Sequence, residues 1–590
     1  MERSEIVLDA EVSRKVMAAR LLVGLVQGLL LYWLYRAGRE GYWPADTPYV
    51  MTPLTMLGLM LPAVLISGLG HLAPRRLAAW VLTAAAILVV LSLHDAWRSA
   101  GTPQSFGAPF PRPVRNAPSP LLLPFGAIFL YIAHALVMAA ALEGRRIASY
   151  AAYFEIAWKL AVQLLFSLFF VAALWAVLWM GASLFELVKL TFFKELLQKD
   201  WFYVPVICFA WSCAMHVTDV RPSIVRGIRT LLLVLSSWIL PVAALIVCGF
   251  LCSLPFTGLE ALWSTRHATS LLLAADAVLI MLINAAFQNG EAQVALAIRV
   301  SARTAALVLL PLTAIAVYAL GLRVHDYGWT TDRVSAAACL VVAGCYAAGY
   351  QWAGHRYDTW LGLIARVNVA TAFVVLAVLF ALFTPIADPA RLSVDNQMAR
   401  LAAGRITADK LDYTFLRFEG QRYGQAALRQ LAAQGNQLAA TALKRTNRWE
   451  PQQRASSASL IAANVTVLPA GARLPDSFVN QTWADTPMAL LPCMDHEDRK
   501  CTAVLMDLDG DGKPEILLFD GSSGHLYAEQ TPGAWTFEGR LTDSCPALAE
   551  KLRAGQFTMT APRWKALNVA GMQVQFAPAR GYKDCQELAK

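Results

Sequence analysis

Charged residues are scarce in this sequence. Asp, Glu, Lys and Arg make up only 15% of the 590 residues, while hydrophobic residues make up 57%. Soluble domains carry roughly 25% charged residues. Up to about Pro385 the chain is a series of apolar runs broken by short polar loops, and after Asp388 it becomes polar and charged. This composition excludes an entirely soluble protein and predicts a membrane-embedded part followed by a soluble one.

The sequence also lacks the short motifs of common enzyme classes. It contains no P-loop, no dinucleotide-binding fingerprint, no GxSxG and no HExxH. The apolar runs hold no nucleophile–base pair and no metal-ligand constellation, so we identify no catalytic residue and favour a non-enzymatic protein. No clear internal repeat is present, and an inverted-repeat transporter is therefore not supported.

No block rich in Lys or Arg and no RNA-binding signature is present, although the formal net charge is +9. In a membrane protein this balance is typical of Lys and Arg at helix ends, close to anionic headgroups. We therefore expect the lipid bilayer as a partner and no nucleic acid. The segment 1–20 has mixed charge and no small-residue cleavage site, so we expect a retained cytoplasmic segment and not a signal peptide.

The apolar runs predict an all-α polytopic membrane bundle over residues 21–386. A helix needs about 20 apolar residues to cross the hydrocarbon core, and Trp and Tyr at several run ends are typical of the headgroup layer. We count about eleven candidate spans: Leu21–Tyr35, Met51–Gly70, Leu77–Leu93, Leu121–Leu142, Ala157–Gly181, Phe202–Val217, Ile228–Leu254, Ala268–Phe287, Thr304–Leu322, Val334–Ala353 and Val367–Ile386.

The Lys and Arg residues of the loops give a weak orientation signal. The side of the N-terminus holds about 14 of them and the opposite side about 11. Positive loops favour the cytoplasm, so we expect a cytoplasmic N-terminus in the bacterial inner membrane. An odd number of spans then places the C-terminal region in the periplasm.

The polar C-terminal region contains four cysteines, Cys493, Cys501, Cys545 and Cys585. Four cysteines permit two disulfides in any of three connectivities. Because disulfides persist in oxidising compartments such as the periplasm, these residues agree with an exported C-terminal region. The other six cysteines lie within apolar runs, where we interpret them as small buried hydrophobic residues.

The stretch DLDGDGKPE, residues 507–515, has the spacing of a calcium-binding loop. The flanking residues are typical of strands, so the loop resembles those of integrin-type repeats, and its first half resembles dockerin loops. An EF-hand is excluded because Leu518 stands at the twelfth position. A plain acidic turn without an ion is the alternative. We predict a structural Ca²⁺, held by Asp507, Asp509, Asp511, the backbone carbonyl of Lys513, and Glu515.

Polar residues within the apolar runs are candidate functional residues, because ionisable groups are costly in lipid. Asp276 stands in the middle of a run, and Asn284 lies about two helical turns further on. Asp276 together with His134 or His216 would form a proton or cation path. Alternatively, these side chains join helices through interhelical hydrogen bonds.

Two amphipathic segments accompany the spans. Gly181–Phe202 either lies flat on the membrane surface or extends the fifth span. We read 387–446 as two or three amphipathic helices with breaks at Gly404 and Gly420, followed by a linker and a small α+β domain over 459–590.

Three stretches, 218–246, 254–290 and 393–431, resemble successive segments of a bacterial multi-pass inner-membrane family, domain of unknown function 4153. The resemblance extends from about Glu143 to Leu431 and implies an inner-membrane location without catalytic residues. The resulting hypothesis is a membrane scaffold or sensor that presents its C-terminal domain to an envelope protein partner. The alternative is an ion- or proton-coupled transporter that uses Asp276.

Overall fold

The fold is known from a computed structural model. It describes 13–102, 114–220, 222–258, 268–290, 294–355, 362–446, 448, 458–469, 471–481, 483, 490–494, 499–520, 523–541, 550–552, 554, 556, 558, 567–569 and 572–574, with only the backbone of 222–226, 567–569 and 572–574. Cys545 and Cys585 lie outside the described residues, as does 1–12 of the N-terminal segment. The chain divides into two compact units, Met1–Lys444 and Arg445–Lys590.

The first unit is helical. Its α-helices are α1 (Arg14–Glu40), α2 (Pro48–Gly68), α3 (Pro74–Ser99), α4 (Leu122–Glu143), α5 (Tyr150–Leu187), α6 (Phe192–Leu197), α7 (Asp200–Val220), α8 (Pro222–Thr257), α9 (Ala268–Phe287), α10 (Leu296–Tyr327), α11 (Thr331–His355), α12 (Ile364–Leu382), α13 (Pro389–Ala402), α14 (Tyr413–Phe418), α15 (Gln421–Ala433) and α16 (Gln437–Lys444).

Within the described ranges, eleven helices are long and apolar enough to cross a membrane, namely α1–α5 and α7–α12. The predicted polytopic bundle is therefore confirmed. Most helices are longer than the apolar run from which they were predicted. The residues beyond the run continue the helix until a capping residue ends it. In α1 the Ser13 side chain caps the first turn, and Gly41, with φ of 81°, ends the last one.

The spanning helices pack into two groups. One buried cluster joins α2, α3, α4 and α12, and a second joins α8, α9, α10 and α11. Outside these two clusters, α1 packs closely on α7 through Gly24 and Gly28. A Cβ atom added to Gly24 would lie 2.4 Å from Ser212 Cβ, and one added to Gly28 would lie 2.5 Å from Pro205 Cα. These two glycines form a small-xxx-small contact of the kind that brings membrane helices together.

Gly181–Phe202 follows the predicted extension of the fifth span only in its first part. Helix α5 continues to Leu187, and the separate six-residue helix α6 follows. Lys189 lies between them with φ of 61°, which interrupts the helix. The fifth span is thus extended, but it does not run on to α7.

Helices α13–α16 pack around a core of their own within the first unit. The structure has four α-helices here, whereas the sequence predicted two or three. The additional helix, α14, has only six residues, and its first turn is capped by the carboxylate of Asp412, which accepts a 2.8 Å hydrogen bond from the Phe415 amide. Helix α15 contacts the end of α3, where Gln425 Nε2 donates a 2.6 Å hydrogen bond to the Gly101 carbonyl.

The second unit has α+β structure. It contains α17 (Ala458–Asn464), β1 (Val465–Leu468), α18 (Asp476–Asn480), β2 (Cys501–Met506), β3 (Glu515–Phe519), β4 (Gly524–Thr531), β5 (Ala534–Arg540), β6 (Leu567–Val569) and β7 (Met572–Val574). Strands β1 to β5 form one sheet in sequence order, with β1 parallel to β2 and the other pairs antiparallel. An aromatic core of Phe478, Trp483, Tyr527 and Trp535 covers this sheet. The predicted small α+β region is confirmed.

Candidate functional site

The acidic loop connects β2 and β3, which pair antiparallel up to Met506 and Glu515. One ligand atom from each of its four acidic residues lies within 4.8 Å of the others. Because Ca²⁺ binds oxygen at about 2.3–2.6 Å, oxygens on opposite sides of one ion lie about 5 Å apart. The side chains of Asp507, Asp509, Asp511 and Glu515 therefore fit around a single metal ion.

The loop backbone holds these carboxylates in place. Asp507 Oδ1 accepts a 2.7 Å hydrogen bond from the Gly510 amide, and its Oδ2 accepts one of 3.1 Å from the Gly512 amide. Gly510 and Gly512 have φ of 82° and 85°, which glycine adopts without strain. Glu515 is buried, and its Oε2 accepts a 2.6 Å hydrogen bond from the Leu508 amide. The role of the Lys513 carbonyl stays a prediction.

Cys493 and Cys501 form a disulfide. Both are buried in the core of the second unit, and the bridge ties the 3₁₀ turn at Pro492–Met494 to the start of β2. The acidic loop follows at the other end of the same strand. The disulfide and the candidate metal site therefore lie at opposite ends of β2.

Asp276 is fully buried within α9. Its Oδ2 accepts a 2.9 Å hydrogen bond from Thr313 Oγ1 of α10, whereas its Oδ1 is shielded from solvent and accepts no hydrogen bond from the residues that the structure describes. Among the described residues no Lys, Arg or His forms an ion pair with it. Asp276 also lines a cavity of about 1400 Å³.

His134 belongs to a satisfied hydrogen-bond network. Its Nδ1 accepts a 3.0 Å hydrogen bond from Trp80 Nε1, and its Nε2 lies 2.8 Å from Ser67 Oγ. An indole N–H is only a donor, so Nδ1 carries no proton and Nε2–H donates to Ser67. His134 thereby joins α2, α3 and α4. Its contacts match the alternative of an interhelical hydrogen bond, and Asp276 is not among them.

Asn284 lies in a ring of hydrogen bonds between α9, α11 and α12. Its Nδ2 donates to Tyr350 Oη over 2.8 Å, Tyr350 Oη donates to Asn368 Oδ1 over 2.6 Å, and Asn368 Nδ2 donates back to Asn284 Oδ1 over 2.6 Å. His216 lies near the end of α7, where its buried Nδ1 has no hydrogen-bond partner in the described part of the chain. The structure therefore brings neither histidine to Asp276.

A buried ionic cluster near the start of α1 was not expected from the sequence. Asp219 of α7 accepts hydrogen bonds from Arg20 over 2.7 Å and from His71 over 2.8 Å, and it forms an ion pair with Lys159 over 2.7 Å. Arg20 also donates to the Leu69 carbonyl over 2.5 Å. One carboxylate thus joins α1, the α2–α3 loop, α5 and α7.

A second cluster lies near the end of α3. Asp388, just before α13, accepts a 2.9 Å hydrogen bond from His94 Nε2, and Arg98 Nη1 lies 3.8 Å away. Burial acts to raise the pKa of Asp388, but the hydrogen bond from His94 and the positive charge of Arg98 outweigh it and lower this pKa. Arg98 also bonds Asp95 over 2.8 Å. These contacts fasten α13 to α3.

The sequence contained only a partial signal for the two clusters. Arg20 and Arg98 lie at the ends of apolar runs and are therefore among the roughly 14 and roughly 11 Lys and Arg residues that the sequence assigns to the loops of the two sides. Asp219 and Asp388 lie at the ends of other runs, 199 and 294 residues from partners in the clusters. Charges at run ends are common, so only the packing of the helices identifies these pairs.

Comparison with curated proteins finds no match, and comparison with solved structures finds none either. A family model described as Domain of unknown function (DUF4153) matches residues 56–432. The match begins earlier than the resemblance seen in the sequence and covers α3–α14 together with most of α2 and α15. This chain, which has eleven candidate membrane helices among its described residues, belongs to the DUF4153 family.

Proposed function

We propose that this chain is a bacterial inner-membrane scaffold or sensor with a cytoplasmic N-terminus and a periplasmic C-terminal unit. The single observation that carries the proposal is the disulfide between Cys493 and Cys501. Disulfides persist in the periplasm and are rare in the cytosol. In that compartment the second unit would bind an envelope protein or respond to conditions.

The spanning helices support the same orientation. An odd number of crossings, as in the described part of the chain, separates the N-terminus from the second unit. Arg20 and Arg98 are buried in ion pairs and no longer count as loop charges. Omitting Arg20 and Arg98 removes one residue from the count of loop Lys and Arg on each side of the membrane. The side of the N-terminus still holds the larger number.

Reporter fusions test this orientation. Alkaline phosphatase fused after Lys590 should be active, and green fluorescent protein at the same point should be dark. Fusions after Gly144, in the α4–α5 loop, are the matched control and should show the reverse pattern, because this loop lies on the side of the N-terminus. Fluorescence without phosphatase activity at Lys590 would overturn the proposed orientation.

The ion that the acidic loop supports best is Ca²⁺. Its donors are hard carboxylate oxygens, and a weak loop site suits an extracytoplasmic module. The ion would hold the β2–β3 hairpin together, and the loop offers no evident open position for a reacting group. We therefore propose a structural and not a catalytic ion.

Calorimetry on the full-length protein tests the ion. Millimolar Ca²⁺ should produce binding heat, and Asp509→Asn should weaken the affinity at least tenfold. Glu538→Gln is the control, because Glu538 is exposed on β5 of the same sheet, outside the loop. Absence of heat with the unchanged protein, or equal affinity after Asp509→Asn, would remove the calcium site.

Ion- or proton-coupled transport is a second candidate function. The specific observation in its favour is Asp276, a buried carboxylate of the cavity lining whose Oδ1 has no hydrogen-bond partner among the described residues. In proteoliposomes, Asp276→Asn should abolish any coupled flux, whereas Asp332→Asn, an exposed carboxylate at the cavity, should not. Flux that survives Asp276→Asn unchanged would contradict this candidate.

A further inference from the structure

The cavity of about 1400 Å³ lies between the two groups of spanning helices. Phe125 of α4 and Val378 of α12 contribute to one wall, and Ile280 of α9 and Val342 of α11 contribute to the other. These side chains are apolar, and a mostly apolar lining with a few placed polar groups is the usual form of a site for an organic molecule. The scaffold function proposed above makes no use of this space.

Asp276 is the fully buried carboxylate of the cavity lining, whereas the lining carboxylates of Asp46 and Asp332 are exposed. It stands eight residues after the start of α9, which corresponds to about 12 Å along the helix. Its hydrogen bond from Thr313 is shared, because the single hydroxyl hydrogen of Thr313 also lies within reach of the Leu309 carbonyl at 2.9 Å. Asp276 Oδ1 accepts nothing from the described residues. A buried acceptor without a donor is costly, and a ligand with an N–H group would satisfy it.

The geometry argues against a bare metal ion at this position. Calcium needs six to eight oxygen ligands, whereas Asp276 and Thr313 are surrounded here by residues such as Leu273 and Ile280. The cavity is also many times larger than the roughly 30 Å³ of a water molecule. Its size and lining fit a molecule with a large apolar body, and the free carboxylate oxygen fits one positively charged donor.

We propose that this cavity binds an apolar organic cation, such as a lipophilic amine, with its N–H group against Asp276 Oδ1. Because Asp276 Oδ1 is shielded from solvent in the structure, this binding mode requires a rotation of the Asp276 side chain that turns the oxygen into the cavity. The apolar body lies against α4, α9, α11 and α12. The inference rests on the second candidate function, because it names the class of substrate that transport through Asp276 would carry.

Two native cysteines of α11 allow a direct test. Both are exposed, in contrast to the expectation of buried cysteines in the apolar runs. Cys339 lines the cavity, whereas Cys345, on the same helix, does not. In the full-length protein, with the other free cysteines replaced by serine, each is labelled with a maleimide. Dehydroabietylamine, a tricyclic amine that is cationic at pH 7, serves as the probe, and the neutral alcohol of the same ring skeleton is the matched compound.

We expect the amine to slow the labelling of Cys339 at least fivefold and to leave Cys345 unchanged. Asp276→Asn should weaken this protection at least tenfold, whereas Thr313→Val, which keeps the carboxylate, should preserve it. Equal protection by amine and alcohol, or equal slowing at both cysteines, would overturn the proposal. If Cys339 does not react with the maleimide, thermal unfolding in the presence of the amine replaces the labelling test. The amine should then stabilise the unchanged protein but not Asp276→Asn, and equal stabilisation of both would overturn the proposal.

The outcome is separable from that of the transport assay. Amine binding without any flux supports the ligand site and removes the second candidate function. Flux that depends on Asp276 without amine binding keeps transport and overturns the ligand site.

Discussion

Polar side chains in the membrane part mainly satisfy one another's hydrogen-bonding groups. His134 uses both ring nitrogens in hydrogen bonds, and Asn284 uses its amide in a closed ring. Such groups need no ligand, because their hydrogen-bonding capacity is already met. Asp276 differs from them in keeping one oxygen without a partner in the described part of the chain. This difference makes Asp276 the more informative position for function.

Asp219 is expected to be the most sensitive charged residue of the first unit. Asp219→Asn would leave Arg20 and Lys159 buried without a carboxylate, and loss of one partner of a buried ion pair costs about 3–5 kcal/mol. Thermal unfolding in detergent measures the effect. Glu186→Gln is the control, because its pair with Lys194 is exposed and contributes only about 0–1 kcal/mol. Equal losses for both variants would contradict this reading.

At the scale of elements, the close contact of α1 with α7 depends on glycines of α1, which have no side chain to separate the two helices. Gly28→Ala would place a methyl group against the backbone of Pro205, and overpacking of this kind costs about 1–3 kcal/mol. The measurement is the unfolding temperature of the detergent-solubilised protein. Gly249→Ala on α8 is the matched control, since nothing lies within 4 Å of a Cβ atom there. The close-packing interpretation fails if both substitutions are neutral.

The attachment of α13 to α3 should depend on pH. The pKa of Asp388 is lowered in the folded protein, so its contribution is present above the unfolded value of about 3.9 and is lost as the pH falls through the folded pKa. Stability should therefore fall as the pH drops below about 4, the unfolded pKa of an aspartate, and Asp388→Asn should flatten this part of the curve.

Melting temperatures across this pH range provide the measurement for Asp388. Asp395→Asn, at an exposed position on the same helix, should keep the slope of the unchanged protein. An identical slope in Asp388→Asn would show that other carboxylates cause the acid transition.

At the scale of the whole molecule, each of the two units has its own hydrophobic core. Replacing Cys493 and Cys501 together by alanine should destabilise the second unit by roughly 2–3 kcal/mol, because the bridge no longer restricts the unfolded chain. Hydrogen exchange should rise in β2 and β3 and stay unchanged in α9 and α10. An equal rise in both units would mean that they unfold together.

The sequence by itself determined that the protein is a multi-pass membrane protein, how many candidate spans it has, and where the acidic residues of the loop between β2 and β3 stand. Apolar run length decides whether a helix can cross a bilayer, and the predicted run Ala268–Phe287 coincides with α9. The spacing of Asp507 to Glu515 likewise predicted the acidic cluster, because its ligands lie on one short turn between two strands. Both are local properties of the chain, which a linear pattern records.

Only the tertiary structure decided which distant residues meet. It paired Arg20 with Asp219 and His94 with Asp388, gave Asp276 the partner Thr313, and kept Asp276 away from His134. These contacts depend on the order and rotation of packed helices, which run length and loop charge do not specify. The cavity beside Asp276 exists for the same reason, because it is formed by helices that are far apart in sequence.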